Sequence, residues 1–253
     1  MTIDFKPRLL LLSALCVSTI SFLPTLAKAA EFSDAQKAEI ETIVKDMIKA
    51  NPEFVDTALR DYYKDQDESI KKNAEVKLQE YQDYFNKPDL PMAGNPDGDV
   101  TVVEYFDYNC GYCKKAFADV VKILEEDKNL RVVFQEMPIL SPSSQTMAAL
   151  ALAAHQQGKY FEMHKVLMDY RGPQTIEAYV ELAKKLGLDM AKLEADAKST
   201  EIAESVKTST EMAKNMGIRG TPGFVVGKKI YPGYIGLDGL KKAIADERAA
   251  QTP

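Results

Sequence analysis

The sequence contains few of the side chains that hold metals through sulfur or imidazole. Its 253 residues include three cysteines and two histidines. A structural zinc site built on Cys110 and Cys113 would need two further ligands, and beyond the N-terminal region only His155 and His164 are available. A c-type haem would need a histidine directly after the second cysteine, where this chain has Lys114. The sequence therefore gives little support to a zinc site and none to a haem site.

The chain also lacks an excess of basic residues. Lysine and arginine number 32, aspartate and glutamate 38, and the net charge is −6 with neutral histidines. There is no basic patch, no internal repeat, and no tract rich in methionine or histidine. An acidic chain of this kind is a poor partner for nucleic acid or for an anionic membrane surface. We therefore expect neither as a ligand.

The first 29 residues have the three parts of a secretory signal. Lys6 and Arg8 form a basic start, an apolar stretch covers positions 9–23, and A-K-A at 27–29 is a small-residue cleavage site. Serine and threonine interrupt the apolar stretch, which is also short for a membrane span. We expect residues 1–29 to be removed and the mature protein to be exported.

Cys110 and Cys113 are the only cysteines left after that cleavage, in a compartment that permits disulfides. A disulfide between residues so close in sequence closes a very short loop and hardly constrains the unfolded chain. An exported chain that keeps only this pair is expected to use it for thiol–disulfide exchange and not for stability.

The two cysteines lie at a predicted strand-to-helix junction. A β-branched and aromatic run at 101–106 predicts a buried strand, and a helical pattern begins at position 111. Unpaired N–H groups and the helix dipole favour a thiolate at such an N-terminus, and Lys114 and Lys115 add positive charge. We therefore predict that Cys110 is a nucleophile of lowered pKa, and that Cys113 closes or resolves the disulfide.

The first part of the mature chain, residues 30–85, is predicted to be a helical arm. Ser33 begins a capping box, an apolar stripe follows at 40–48, and Asn51-Pro52 ends one helix and begins another. The second helix has no apolar residue from 64 to 69, which suggests a bend or a flexible joint. Unbroken, it would be roughly 50 Å long, more than the diameter of a small domain. We expect the arm to pair with copies of itself; the alternative is that it folds back on its own body.

A stretch rich in proline and glycine, residues 86–99, is predicted to be a linker, and residues 100–253 to be the redox domain. The predicted elements are a strand at 100–106, a helix at 111–126, a strand at 130–135, a helical region at about 143–216, a hairpin around Gly227-Lys228 and a closing helix at 237–249. This order predicts an α/β protein with a thioredoxin fold and an inserted helical domain, preceded by the oligomerisation arm.

Three stretches carry a family resemblance: F-D-Y-N-C-G-Y-C at 106–113, Q-G-K-Y at 157–160 followed by Glu162 and His164, and G-I-R-G-T-P at 217–222. They resemble the DsbA-like thiol–disulfide oxidoreductases of bacterial envelopes. Within that family the chain is most similar to members with an N-terminal helical arm, such as the suppressor of copper sensitivity (ScsC) proteins. The resemblance covers position 95 to the C-terminus well and the arm more loosely.

The resemblance implies further site residues. Thr221 and Pro222, joined by a cis peptide bond, would lie against the sulfur atoms and leave backbone free to pair with an extended substrate segment. Glu104 would be a buried acid of raised pKa that exchanges protons with Cys113; the alternative is a carboxylate that faces solvent. Relatives often carry a lysine where this chain has Gln135-Glu136, so charge compensation near the site is expected to differ.

C-G-Y-C combined with threonine before the proline resembles the disulfide isomerases of the DsbC kind more than the strong oxidants. It implies an oligomeric periplasmic isomerase or reductase, a trimer in preference to a dimer, without a cofactor. Its partners would be misfolded or disulfide-bonded exported proteins and a membrane reductase of the DsbD kind. Two alternatives stay open: a monomeric disulfide oxidant, and a copper-binding protein that holds Cu(I) between Cys110 and Cys113.

Overall fold

A computed structural model describes residues 32–251, apart from the side chains of residues 63 and 65–67. The predicted signal, with Cys16, lies outside the described residues. The helices and strands are, in chain order, α1 (Asp34–Ala50), α2 (Pro52–Phe85), β1 (Met92–Gly94), β2 (Val100–Phe106), α3 (Gly111–Glu126), β3 (Leu130–Glu136), α4 (Pro142–His155), α5 (Tyr160–Asp169), α6 (Ile176–Lys185), α7 (Met190–Ala197), α8 (Thr200–Asn215), β4 (Gly223–Val226), β5 (Lys229–Tyr231) and α9 (Gly236–Gln251).

The chain divides into two compact units between Leu59 and Arg60. The sequence-based division ended the arm at residue 85 instead, so the structure moves this boundary into α2. The physical reason is burial: Leu78 and Phe85, near the C-terminal end of α2, are each 2% exposed. They pack with Val103 of β2 in one core cluster. The second half of α2 therefore belongs to the redox unit.

The N-terminal unit contains α1 and the beginning of α2. The predicted capping box is confirmed, because the Ser33 hydroxyl accepts the Gln36 N–H and the Gln36 side chain accepts the Ser33 N–H. Helix α1 has no buried residue. The five side chains of its apolar stripe are between 42% and 60% exposed: Ile40, Ile43, Val44, Met47 and Ile48. The helical prediction for this segment is confirmed. The second helix continues as helix through residues 64–69, where a bend or joint was predicted.

A five-stranded sheet forms the centre of the second unit, in the order β1-β3-β2-β4-β5. Strand β2 is parallel to β3 and antiparallel to β4, and β4 and β5 form the predicted hairpin. Strand β1 was not predicted. It lies in the supposed linker and pairs antiparallel with β3, and its central residue, Ala93, is buried in the core.

The two faces of the sheet carry two core clusters. Side chains alternate along a strand, so Val102 and Phe106 of β2 face one cluster and Val103 and Tyr105 the other. Glu104 has the same parity as Val102 and Phe106. The first cluster also contains both cysteines. This alternation is what brings a carboxyl of β2 to the face on which the redox pair lies.

Helices α4–α8 are inserted between β3 and β4, as predicted for the region 143–216. Helix α4 is alanine-rich, and most of its side chains are buried. The insert ends in a loop that leads back to β4 through Thr221 and Pro222. Among the helices of residues 32–251, none is both long enough and apolar enough to cross a membrane.

Candidate active site

Cys110 is the N-cap residue of α3. Its sulfur accepts a hydrogen bond from the Cys113 N–H at 3.4 Å. The Cys110 N–H donates to the Asp107 carbonyl oxygen at 3.0 Å, which closes a tight turn between β2 and the helix. The predicted strand-to-helix position of the cysteine pair is therefore confirmed, and both residues are free thiols in this structure.

The environment of Cys110 stabilises the thiolate. Its pKa is lowered from 9.0 to about 5, chiefly by a hydrogen bond from the Cys113 thiol. Burial opposes this change, while the backbone N–H groups of Cys113 and Tyr112 support it, as does the Thr221 side chain once the sulfur is ionised. Each of these donors interacts better with a charged sulfur than with a neutral one. At neutral pH this sulfur is therefore ionised and suited to nucleophilic attack.

Cys113 has the opposite environment. It is fully buried, and burial raises the pKa of its thiol far above the usual value, helped by its hydrogen bond to Cys110 and by the charge of Glu104. Cys113 therefore keeps its proton while Cys110 is ionised. This difference suits one cysteine for attack and the other for a later resolving step.

The lysines after the pair have other contacts. Lys114 donates from Nζ to the Tyr170 carbonyl oxygen at 2.8 Å, and Lys115 Nζ lies 6.0 Å from the centre of the Tyr112 ring. From the sequence, both charges were expected to help lower the pKa of Cys110. The structure assigns that effect to the hydrogen bonds at the helix N-terminus instead.

The Thr221–Pro222 peptide bond is cis and lies beside the nucleophile. The Cys110 thiol donates to the Thr221 carbonyl oxygen at 3.2 Å. The Thr221 hydroxyl oxygen is buried and has no hydrogen-bond partner among the residues described. Once Cys110 is ionised it no longer donates, and this hydroxyl is free to donate to the thiolate. The structure thus brings Thr221 and Pro222 to the redox pair from more than 100 positions away.

Glu104 lies under the site on β2. It is fully buried, and neither carboxyl oxygen has a hydrogen-bond partner among the described side and main chains. Burial raises its pKa from 4.5 to about 8, and the charge of Cys110 adds to the increase. The alternative of a solvent-facing carboxylate is therefore wrong. A carboxyl that titrates near neutral pH beside two thiols is able to take up or release a proton there.

The model of the DSBA-like thioredoxin domain family matches residues 101–245, a range that includes all five of these site residues. The chain belongs to this family. Its DSBA-like domain is a thiol–disulfide oxidoreductase domain, and the sequence-based fold prediction is confirmed.

Solved structures place the DSBA-like domain among related folds. A thioredoxin-like oxidoreductase from Silicibacter pomeroyi DSS-3 is 41% identical, with a TM-score of 0.62 over 67% of this chain and 96% of the other. The thiol–disulfide exchange protein α-DsbA2 from Wolbachia pipientis is 25% identical, with a TM-score of 0.64 over 70% and 97%. A linker-deletion variant of ScsC from Proteus mirabilis is 22% identical, with a TM-score of 0.65 over 88% and 100%, which shows a shared fold.

Curated relatives include proteins much longer than this chain. The Na⁺/H⁺ antiporter NhaA 1 of Salinispora arenicola is 29% identical over 167 residues, which are 62% of this chain and 26% of that protein. The chain thus spans about a quarter of the length of such a relative.

A polar cluster that was not predicted from the sequence lies beside the DSBA-like site. Asp107 is 1% exposed and accepts three hydrogen bonds, two from backbone N–H groups and one from Ser144. Asn109 contacts three serine hydroxyls at the beginning of α4. The available signal was the local pattern D-Y-N-C together with S-P-S-S at 141–144, since aspartate, asparagine and serine favour side-chain contacts to turns and helix N-termini.

A second buried network lies around Glu136 of β3. Its Oε1 accepts from the Tyr108 and Tyr160 hydroxyls at 3.1 and 3.0 Å, and burial raises its pKa well above the usual value. Tyr108 also contacts His164 Nδ1 at 3.0 Å. Burial lowers the pKa of His164 to about 3, so this histidine is neutral.

Proposed function

We propose that this chain is an exported, oligomeric protein disulfide isomerase or reductase that acts through Cys110 and Cys113. The Cys110 thiolate attacks a disulfide of a client protein, forms a mixed disulfide with one client sulfur and releases the other as a thiolate. Attack by a client thiolate on that mixed disulfide forms a new client disulfide and returns Cys110 as a thiolate, which is isomerisation.

Reduction takes the second route. In the mixed disulfide the Cys110 sulfur carries no charge, so one of the two causes that raise the pKa of Glu104 is absent and a larger fraction of this carboxyl is ionised. Ionised Glu104 takes the proton of Cys113, which attacks the Cys110 sulfur, so that a disulfide closes between the two cysteines and the reduced client leaves as a thiolate. The observation that carries the proposal is the opposite protonation of the two sulfurs. The pKa of Cys110 is lowered to about 5, and burial raises the pKa of Cys113. Thr221 and Pro222 would border the place where the client chain lies.

The oligomeric part of the proposal rests on α1. Its five stripe residues are all more than 40% exposed, and an amphipathic helix with an exposed apolar face of this kind favours association. Association, as a trimer in preference to a dimer, would let several active sites face one misfolded client. A membrane reductase of the DsbD kind would keep the cysteines reduced in the periplasm.

The test compares three proteins: the mature chain, a chain that begins at Arg60, and the double variant Ile43→Lys/Met47→Lys. The deletion stops before residue 60 because Leu78 and Phe85 are part of the core. Glu39→Lys, an exposed polar position of α1, controls for added charge. Light scattering measures assembly, insulin reduction measures simple exchange, and refolding of scrambled ribonuclease measures isomerisation.

We expect the mature chain and Glu39→Lys to be oligomers with isomerase activity. The deletion and the double variant should be monomers that reduce insulin but lose most of the isomerase activity, because one site cannot hold a client while a second attacks. A monomeric mature chain would contradict the proposal.

A monomeric oxidant is the second candidate, and the lowered pKa of Cys110 favours it. A stabilised thiolate stabilises the reduced form, which makes the disulfide a stronger oxidant. Thiol trapping in cells distinguishes the two: a mostly reduced pair supports the isomerase, and a fully oxidised pair supports the oxidant. A third candidate, Cu(I) held by the two thiolates, predicts copper in the purified reduced protein and none in Cys110→Ser.

A further inference from the structure

The turn that carries Cys110 is built around a buried carboxylate. Asp107 Oδ1 accepts hydrogen bonds from the Asn109 N–H and the Ser144 hydroxyl, both at 2.7 Å. Its Oδ2 accepts from the Leu140 N–H at 2.9 Å. The donors come from the turn itself, from α4 and from the loop after β3. One side chain therefore joins three segments of the chain, of which the first and the last are more than 30 positions apart in sequence.

The backbone of Asp107 contacts both cysteines. Its carbonyl oxygen accepts from the Cys110 N–H at 3.0 Å. Burial raises the pKa of Cys113, and the backbone of Asp107 opposes that increase. A displacement of Asp107 would therefore change the surroundings of both sulfur atoms at once.

Asn109 attaches the same turn to the inserted helical domain. Its Nδ2 lies 2.7–2.9 Å from the hydroxyl oxygens of Ser141, Ser143 and Ser144. Ser141 is the N-cap of α4, where its hydroxyl accepts the Ser144 N–H at 3.2 Å. The support for the turn is thus the first turn of a helix, a rigid element, and not a loose loop.

The chemistry of the site explains why such support is useful. A buried carboxylate is costly unless hydrogen bonds compensate for lost hydration, and the three donors to Asp107 are two backbone N–H groups and a hydroxyl, none of them charged. The Cys110 thiolate depends on directional hydrogen bonds, which weaken steeply when the donor and acceptor are misaligned. A site of this kind functions only if its supporting residues hold it within a fraction of an ångström.

We propose that Asp107 and Ser144 are positioning residues for thiol–disulfide exchange. They hold the active-site turn against α4, so that the Cys110 sulfur stays aligned with the N-terminus of α3 and beside Thr221. This inference rests on the proposed role of Cys110 as the nucleophile.

The experiment measures the pH profile of Cys110 alkylation in the reduced mature chain, for Asp107→Asn and Ser144→Ala. Ser209→Ala is the matched control, because Ser209 is also a buried helical serine. The other titratable groups that face the turn are kept in every variant: Glu104 from β2, Glu136 from β3 and Cys113 from α3. Circular dichroism and thermal unfolding report the fold separately.

We expect the midpoint of the profile to rise in both variants, by about one pH unit, which lowers the rate below the midpoint about tenfold. The sign is informative for Asp107→Asn. Loss of a negative charge alone would stabilise the thiolate and move the midpoint down, so an increase reports lost alignment. Ser209→Ala should leave the midpoint unchanged.

A midpoint that is unchanged in Ser144→Ala would overturn the inference, and so would a decrease in Asp107→Asn. If Asp107→Asn fails to fold, Ser144→Ala decides the question by itself, because it removes one hydroxyl group and does not change the charge. Cys110→Ser separates the two proposals. Exchange that survives in Cys110→Ser refutes the proposed function, whereas inactive Cys110→Ser with unmoved profiles refutes only the positioning role.

Discussion

Two cysteines three positions apart have opposite acid–base behaviour in this protein, because Cys110 caps helix α3 and Cys113, in the first turn of that helix, is buried in the core. The Cys110 pKa is lowered to about 5, and burial raises that of Cys113. The lowered pKa of Cys110 depends on individual hydrogen bonds, so single side chains should control it.

We predict that Cys110 is alkylated far faster than Cys113 at about pH 6, with a half-maximal rate near pH 5. Cys113→Ser should accumulate mixed disulfides with clients, because the resolving thiol is gone. Cys113→Ala should raise the Cys110 midpoint above that of Cys113→Ser, since serine can still donate to the thiolate. Mass spectrometry of peptides after timed alkylation measures each rate, and equal rates for the two cysteines would contradict the assignment.

A second prediction concerns the Thr221 hydroxyl. Thr221→Val should raise the pKa of Cys110 and lower the reduction potential of the pair, because the reduced thiolate form loses a donor. The expected change is about 30 mV, equivalent to about 1.4 kcal/mol. Thr221→Ser keeps the hydroxyl and should stay close to the natural protein. Equilibration with glutathione gives the potential, and equal values for valine and serine would show that the hydroxyl does not act on the thiolate.

At the scale of elements, α2 has two different roles along its length. Its first residues belong to the N-terminal unit, whereas Leu78 and Phe85 pack with Val103 and Val133 on the sheet face opposite the cysteines. Arg131 of β3 fixes the end of the helix, donating to the Phe85 and Lys87 carbonyl oxygens. The sequence showed one helical pattern from 53 to 85, and the pattern does not distinguish a stripe that meets the chain's own sheet from one that meets another copy.

We therefore predict that Leu78→Ala destabilises the mature chain by roughly 2–5 kcal/mol, the usual cost of a buried leucine. Val76→Ala is the control on the same helix. Val76 is 51% exposed, so the change should stay within about 0.5 kcal/mol. Urea unfolding followed by circular dichroism measures both. Similar small effects for the two variants would mean that this half of α2 is not part of the core.

At the scale of the whole molecule, Glu104 links folding to pH. Its folded pKa is about 8 against 4.5 for the free group. Between these values the unfolded chain is ionised while the folded chain keeps its proton, so this group lowers the stability as pH rises through the window. The pKa values of Cys110 and His164 also change on folding, so a test of Glu104 must compare proteins that both contain these two residues.

The prediction is that Glu104→Gln gains stability relative to the natural protein as pH rises from about 4.5 to about 8. The gain should reach up to about 1.4 kcal/mol for each pH unit. Urea unfolding of the two reduced proteins at several pH values measures the difference in their free energies of unfolding. Both proteins contain Cys110 and His164, so the contributions of these two groups cancel in the difference. A difference that is independent of pH would mean that Glu104 is ionised in the folded state.

Local features of this chain were readable from its sequence. The strand at 100–106, the helix at 111–126, the hairpin around Gly227-Lys228 and the Ser33 cap follow from side-chain period and turn chemistry, which act between near neighbours. The redox pair and its position at a helix N-terminus are local in the same sense. Glu104 and Thr221 could be proposed as site residues only through the family resemblance, since no local sequence pattern around them predicts that they lie near Cys110.

Tertiary structure decided the rest, because burial and contacts between distant residues set it. It made Cys113 the protonated sulfur and raised the pKa of Glu104, both through burial. It placed the Lys114 ammonium group in a hydrogen bond to a carbonyl oxygen 56 positions away and not at the thiolate. It also brought Ser144 to Asp107, across 37 positions. The amino-acid sequence determined the chemistry of the reacting pair, and packing determined which neighbouring groups tune it and hold it in place.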